Sequence, residues 1–426
     1  MRRGSLAMGM FRSSALGLAF VGAFVIPAYA ADVAPGPALV APPPPADWWS
    51  TVKFDAMVEG GFPGNPAGPP NPPGNFGQLF TDRANMFLMN QLLLTAHRDV
   101  DETKSWDVGF KFQFMYGTDA RYTRYLGEFP NAVDGNYAPA IQEAWVDVKT
   151  PWFGKGGTDF KIGQFVTPMG EEVIDPRGNF FYSHSYTFNF GIPLENTGVL
   201  AVTHLNDTLD LYGGVDTGVN TTFGSGGDPT GTASFNAGFG LNKLMNGKLT
   251  ILALTHIGPS DPQDSSQLRY LSDILATYKF NDKLTWITEL NYALDSIDGG
   301  QSGGGVVEYL TYDYNDWLSW GVRGEFWRDP NRFWVGAFPC GNCFYDFQLT
   351  GNPNFTVGPA TGSPTYTELT FGLNIKPFSK SSKKWLASTL IRPEIRWDHS
   401  FDTNAYDNFT EPNQLTLASD FIITFQ

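Results

Sequence analysis

Apolar and polar side chains alternate strictly between residues 106 and 116 of this chain. The apolar set is Trp106, Val108, Phe110, Phe112, Phe114 and Tyr116. The intervening positions are mostly charged, polar or small: Asp107, Gly109, Lys111, Gln113 and Met115. Since a β-strand sends successive side chains to opposite faces, this strand has one apolar and one hydrophilic face. The pattern recurs along the chain and predicts an all-β transmembrane antiparallel barrel, with lipid outside and water inside.

About sixteen segments show this alternation, which predicts an up-and-down barrel. The predicted strands span residues 49–59, 85–97, 105–117, 140–149, 158–166, 197–205, 207–217, 233–244, 248–257, 268–280, 284–294, 305–314, 317–328, 366–376, 385–398 and 414–425.

The connections between these strands alternate between long and short. Outer-membrane barrels have short periplasmic turns and long extracellular loops in this order. The short turns include Asn246-Gly247, Asn281-Asp282 and Asn315-Asp316, which are good turn formers. The long connections span residues 60–84, 118–139, 167–196, 218–232, 258–267, 295–304, 329–365 and 399–413. An even number of strands then places both ends of the barrel on the periplasmic side.

Charged side chains share one face of the predicted strand at 385–398. The opposite face carries Trp385, Ala387, Thr389, Ile391, Ile395 and Trp397. Arg or Lys at the midplane of a lipid-facing surface costs about 2–4 kcal/mol, so the charged face must point inward. A barrel of sixteen to eighteen strands leaves an aqueous channel. The residues expected to line it are Glu143, Asp147, Lys161, Glu289, Arg323, Glu325, Glu368, Arg392, Glu394, Arg396 and Asp398. For any single one of them, the alternative is a structural ion pair that holds the wall.

Residues 1–30 have the features of a cleaved signal peptide, with arginines, an apolar run and the Ala28-Tyr29-Ala30 cleavage pattern. Residues 31–47 form a Pro-rich tail, expected in the periplasm, and residues 48–426 form the single barrel domain. Beyond the leader, no stretch reaches the ~18 apolar residues of a membrane helix. The formal net charge of −15 argues against a nucleic-acid partner and favours a weak preference for cations.

Two cysteines, Cys340 and Cys343, lie three positions apart in the longest predicted loop. A redox motif would need a βαβ context and a zinc site more ligands nearby, so a small disulfide in an exported loop is the simpler interpretation. The five histidines are scattered without metal-ligand spacing. We therefore expect no metal and no cofactor.

A distinctive block lies between residues 159 and 204. It contains the passage GQFVTPMGEE at residues 163–172, the element Tyr182-Ser183-His184-Ser185, and a return strand with Thr197-Gly198-Val199. Here the chain resembles the β-barrel porins of the OmpL-like type, and the resemblance covers essentially the mature chain. It implies an outer-membrane porin, and it names no substrate.

The connection at 167–196 begins abruptly, because Pro168 and Gly170 break the strand. We expect this loop to fold inward and narrow the channel; the alternative is a loop packed over the rim. The residues that would then project into the channel are Glu171, Glu172, Asp175 and Arg177.

The sequence therefore favours a bacterial outer-membrane porin for passive diffusion of small hydrophilic solutes or ions. Its expected partners are membrane lipid, lipopolysaccharide and, by analogy with other sixteen-stranded porins, two further copies of itself. Two alternatives stay open: a structural or adhesive barrel without a stable pore, and a hydrolase built on Ser183-His184-Ser185. A hydrolase would need serine, histidine and an orienting group brought together in space.

Overall fold

The computed structural model describes residues 47–129, 132, 136–224, 227–228, 230–261, 264–335 and 362–426. The predicted signal peptide, nearly all of the Pro-rich tail, and the predicted disulfide between Cys340 and Cys343 lie outside the described residues.

Sixteen strands form one closed antiparallel barrel, in which each strand pairs with its neighbours in sequence and the last pairs with the first. Closure gives every strand a partner on both sides, as a sheet in lipid requires. The predicted fold class and strand number are confirmed. The strands are β1 Lys53–Gly64, β2 Leu88–Arg98, β3 Asp107–Gly117, β4 Ala138–Thr150, β5 Gly157–Val166, β6 Glu195–His204, β7 Leu209–Asp216, β8 Ser234–Lys243, β9 Leu249–Asp261, β10 Asp264–Lys279, β11 Leu284–Asp295, β12 Gln301–Asn315, β13 Leu318–Arg328, β14 Thr365–Ile375, β15 Leu390–Ser400 and β16 Asn413–Phe425.

Short helical turns lie before the first strand and between some of the others. They are Trp48–Thr51, Ala120–Thr123, Pro176–Gly178, Thr187–Gly191, Leu244–Gly247, Ile297–Gly299 and Lys384–Ala387. Within the described ranges, no helix has the length and apolar character needed to cross a membrane.

The two faces of β3 differ as the alternation predicts. Val108 and Phe112 on the outer face are 42% and 46% exposed, whereas Gln113 and Met115 on the inner face are buried. The outer face of this strand is therefore apolar and open to lipid, and the inner face packs within the barrel.

Several predicted boundaries are wrong, and two of them illustrate the reasons. The connection expected at 258–267 is mostly strand, because β9 ends only at Asp261 and β10 begins at Asp264. Polar residues can continue a hairpin in water, since the main-chain hydrogen bonds do not depend on side-chain polarity. Trp385 and Ala387 lie on the short helix Lys384–Ala387, before β15 begins. A four-residue segment is too short for side-chain periodicity to separate helix from strand.

Long loops fill one end of the lumen with an apolar core, which the sequence pattern did not predict. Residues 65–87, 167–194, 329–335 and 401–412 contribute to it. Burial of their apolar side chains away from water stabilises this arrangement. Its large members include Phe76, Phe80, Phe188, Phe190, Trp334 and Tyr406.

Candidate pore and constriction site

The loop of residues 167–194, here called the inner loop, lies inside the barrel. It leaves β5 at Val166 and returns into β6 at Glu195. Its atoms bond to inward-facing side chains of the adjacent strands β1 and β2 and of β11, which lies far from them on the ring of strands. These bonds join the Glu171 N–H to Glu289 (3.1 Å), the Ile174 carbonyl to Gln91 (2.8 Å) and the Arg177 guanidinium to Asp55 (2.7 Å).

Carboxylates of the wall accept hydrogen bonds from the main chain of the inner loop. Glu394 on β15 accepts from the N–H groups of residues 182 and 183, at 2.9 and 3.1 Å. Glu325 on β13 accepts from those of residues 186 and 187, at 2.6 and 2.8 Å. Hydrogen bonds with one charged partner are the stronger kind, so each carboxylate fixes one turn of the loop.

Three arginines of the wall bind the other polar group of the loop main chain, its carbonyl oxygens. Each of them is fully or almost fully buried. Together with the carboxylates they hold both the donors and the acceptors of the loop. The bonds run from Arg323 to Ser183 (2.6 Å), from Arg392 to Asn179 (2.8 Å) and from Arg396 to His184 (2.5 Å).

Ion pairs with carboxylates of the wall and of the inner loop balance these arginines. Arg323 lies 2.7 Å from both Glu368 and Glu172, and Arg396 lies 2.7 Å from Asp398. A buried charge is costly unless it is paired and hydrogen-bonded, and this set meets both conditions. Asp398 also accepts from the Tyr186 hydroxyl of the loop, at 3.0 Å.

The predicted channel-lining residues therefore fall into two groups. Those on β11 and β13–β15, from Glu289 to Asp398, are covered by the inner loop or by the partners that hold it, and do not face open water. Glu143, Asp147 and Lys161 lie on β4 and β5, away from these anchoring contacts. Glu143 is buried, whereas Asp147 and Lys161 are partly exposed. β5 and β13 are eight strands apart in the ring, so the two groups lie on opposite sides of the barrel.

The wall at β3–β5 carries mixed charge around one indole ring. The Trp145 indole N–H donates to Glu143 at 2.6 Å, and Lys111 pairs with the same carboxylate. The Lys161 ammonium lies 4.5 Å from the centre of the Trp145 ring, and Asp147 is its partner in the strand register. Lys111 and Lys161 keep part of their surface exposed.

The inner loop turns a polar edge to the lumen. The side chains of Asp175 and Arg177 are 24% and 28% exposed and are 2.6 Å apart. Glu172, by contrast, is buried beside Arg323 and belongs to the anchoring contacts. The four residues predicted to project into the channel therefore do not share one role.

Two anchors on β2 were missed by sequence reasoning. Gln91 donates to the Ile174 carbonyl, and Asn90 accepts from the Tyr182 hydroxyl at 2.9 Å. Both side chains are uncharged and lie among leucines. Gln91 shares the inward parity of Leu93 and Thr95, whereas Asn90 lies at an irregularity of the β1–β2 pairing that alternation does not predict.

Glu171 is the titratable group of the loop whose charge we expect to change near neutral pH. Burial raises its pKa, and the neighbouring Glu172 charge raises it further, to about 7. Its carboxyl is therefore neutral at acidic pH and negative at alkaline pH.

We predict that the preference for cations increases as pH rises from about 6 to about 8, since a carboxylate forms in the lumen. Reversal potentials in a salt gradient measure this preference. Glu171→Gln should remove the change while leaving conductance near the wild-type value. An equally large change in the Gln variant would contradict the assignment.

The side chains of the serine–histidine element at 183–185 bond to neighbouring residues of the inner loop and of the wall. Ser185 donates to Glu172 at 3.2 Å, and the Ser183 hydroxyl accepts from Arg323 at 3.1 Å. The His184 ring lies 4.3 Å from that of Phe188 and 3.2 Å from the Asn179 amide. Burial lowers the pKa of His184 to about 4. Its ring contacts and those of the two hydroxyls are therefore structural. Among the described residues, no group of three or more His, Cys, Asp or Glu is arranged to hold a metal ion.

Comparison with known proteins gives one family match and many structural matches. Residues 51–425 match the family described as "Putative beta-barrel porin-2, OmpL-like". Comparison with curated proteins finds no match.

Three solved structures illustrate the similarity in fold. OprB of Pseudomonas putida, solved at high pH, has 14% identity and a TM-score of 0.53, covering 88% of this chain and 94% of its own. The outer membrane channel DcaP of Acinetobacter baumannii has 12% identity and a TM-score of 0.51, covering 88% and 96%. An anion-selective porin from Comamonas acidovorans has 10% identity and a TM-score of 0.51, covering 88% and 99%.

Proposed function

This chain belongs to the OmpL-like family of β-barrel porins, and we propose that its solute path runs between the inner loop and the wall at β3–β5. The protein is thus an outer-membrane channel for small solutes. We place its narrowest part at the exposed edge of the loop, around Asp175 and Arg177. The supporting observation is that the hydrogen bonds described above between the inner loop and the wall lie on β1, β2, β11 and β13–β15, which leaves the wall at β3–β5 for solutes.

The charges along this path support passive diffusion of small hydrophilic solutes. Acidic and basic side chains both line it, with Asp147 and Asp175 against Lys161 and Arg177. Side chains of both charges keep the path hydrated and do not bind ions of one charge tightly. The acidic balance of the whole chain supports a weak preference for cations.

Cysteine accessibility tests this path. We expect Asp175→Cys, in a background with Cys340→Ser and Cys343→Ser, to react with charged thiol reagents in a planar bilayer and to lose conductance. Leu369→Cys is the matched control, because Leu369 is 53% exposed on the outer face of β14. It should keep its conductance. No change on modification of Asp175→Cys would overturn the proposed path, and absence of any stable conductance would favour the adhesive barrel.

We further propose that the protein is a homotrimer in contact with lipopolysaccharide. The supporting argument is analogy with other sixteen-stranded porins, which is a fold-level argument only. Chemical crosslinking in outer-membrane preparations would reveal trimers, and a monomer band alone would contradict this.

We propose no enzymatic role for this chain and no nucleic-acid partner. The bonding of Ser183 and Ser185 to Arg323 and Glu172 supports the first statement. A lipid-hydrolysis assay tests it: activity that disappears in His184→Ala would restore the hydrolase alternative. The acidic composition supports the second statement.

A further inference from the structure

Three inward-facing glycines lie directly under aromatic rings of the inner loop. A Cβ atom on Gly321 would lie 2.6 Å from the ring of Phe180, and one on Gly372 would lie 2.9 Å from the ring of Phe181. A Cβ on Gly61 would overlap the ring of Tyr182. Three consecutive aromatic side chains of the loop therefore occupy space that only glycine leaves open.

The need for glycine at these positions is steric and does not come from the backbone. None of the three has a positive φ angle, so alanine could adopt the same backbone conformation. Gly321 on β13 and Gly372 on β14 are direct partners in the register, and together they make a shallow depression in the wall. Close approach of another group is a known reason for glycine within a strand.

Packing against inward-facing side chains of the wall keeps the rings from moving sideways along it. Phe181 packs in a buried cluster with Ile287, Val307 and Tyr309, and the Arg323 guanidinium lies 5.1 Å from its ring centre. An added methyl group needs contact distances near 3.5–4.0 Å, so the loop would have to shift by about 1 Å. The side of the lumen away from these anchors is the direction left for that shift.

We propose that Gly61, Gly321 and Gly372 are positioning residues that set how far the inner loop projects into the lumen, and thereby the size of solute that passes. This inference rests on the proposed solute path. The rings and the wall interact through van der Waals contact. Because the glycines let the rings lie closer to the wall, the loop projects less into the lumen and the solute path on the other side is wider.

Alanine substitution at the paired glycines is the direct test. Gly321→Ala and Gly372→Ala are each expected to lower single-channel conductance, by about twofold for a ~1 Å narrowing, and to exclude smaller neutral polyethylene glycols. Gly324→Ala is the matched control on the same strand. The nearest atom to its Cβ would be 3.8 Å away, so wild-type values are expected.

Reciprocal removal of a ring separates positioning from a general loss of stability. Phe181→Ala is expected to raise conductance alone and to restore it in the Gly372→Ala background. If each substitution only destabilised the barrel, the double variant would have lower conductance than either single variant. Phe181→Ala alone tests the proposal if a glycine variant fails to fold.

Two outcomes distinguish this inference from the function it rests on. Wild-type conductance and size exclusion in the glycine and Phe181 variants, with higher conductance after deletion of residues 171–188, would overturn the positioning role alone. Wild-type conductance in every one of these variants, the deletion included, would overturn both.

Discussion

Deletion of residues 171–188 is expected to raise single-channel conductance severalfold. This segment carries the exposed edge and the three aromatic rings of the inner loop, and all of it lies within the lumen. A barrel of sixteen strands without such a loop leaves a wide aqueous channel. Planar-bilayer recording of the purified variant measures the change.

The deletion also removes the partners of the buried wall charges, so its folding must be checked. Water can enter the emptied lumen and hydrate these groups, so the barrel itself is expected to persist. A heat-dependent mobility shift on gels serves as the folding control. A folded deletion variant with wild-type conductance would show that the loop does not limit the flow of ions.

Arg323→Met is expected to lower the free energy of unfolding by about 3–5 kcal/mol, since removing one partner of a buried ion pair leaves the other charged and unpaired. Arg323 is completely buried between Glu172 and Glu368 and also holds the Ser183 carbonyl. Its loss leaves Glu172 without this ion pair, leaves Glu368 with Arg396 at 3.9 Å, and frees one turn of the inner loop. Denaturant unfolding in detergent, followed by tryptophan fluorescence, measures the change.

Arg328→Met is the matched control on the same strand. The Arg328 side chain is 50% exposed, and its partner Asp402 lies 3.5 Å away. Such a surface pair contributes about 0–1 kcal/mol. Equal unfolding free energies for the two variants would show that the buried network does not hold the loop.

The barrel could be predicted because its signal repeats locally. On β3, Val108 and Phe112 stand at even positions and are exposed, whereas Gln113 stands at an odd position and is buried. The lipid on one side of the sheet requires this alternation. The inward direction of Arg323 follows from the same argument, because a charge on the lipid side is costly. What Arg323 touches could not be predicted, since Ser183 is 140 residues away in sequence.

The features that the sequence did not predict depend on contacts between residues far apart in the chain, which the alternation of side chains does not specify. Phe180 and Phe181 look like ordinary loop aromatics, and Gly321 and Gly372 look like ordinary strand glycines. Only the folded barrel brings them together. The apolar content of residues 65–87, with Phe76 and Phe80, was the available sign that a loop would bury itself in the lumen.

Much of the attachment of the inner loop to the wall is made through its peptide groups. Wall carboxylates accept hydrogen bonds from its N–H groups, and wall arginines donate hydrogen bonds to its carbonyl oxygens. Every amino acid except proline offers both of these groups. Side chains on the water-facing edge can thus be exchanged without loss of these main-chain bonds, and only the bond of Arg177 to Asp55 depends on a side chain of that edge. Substitutions at this edge, in evolution or by engineering, can therefore change the solute preference while the barrel keeps its structure.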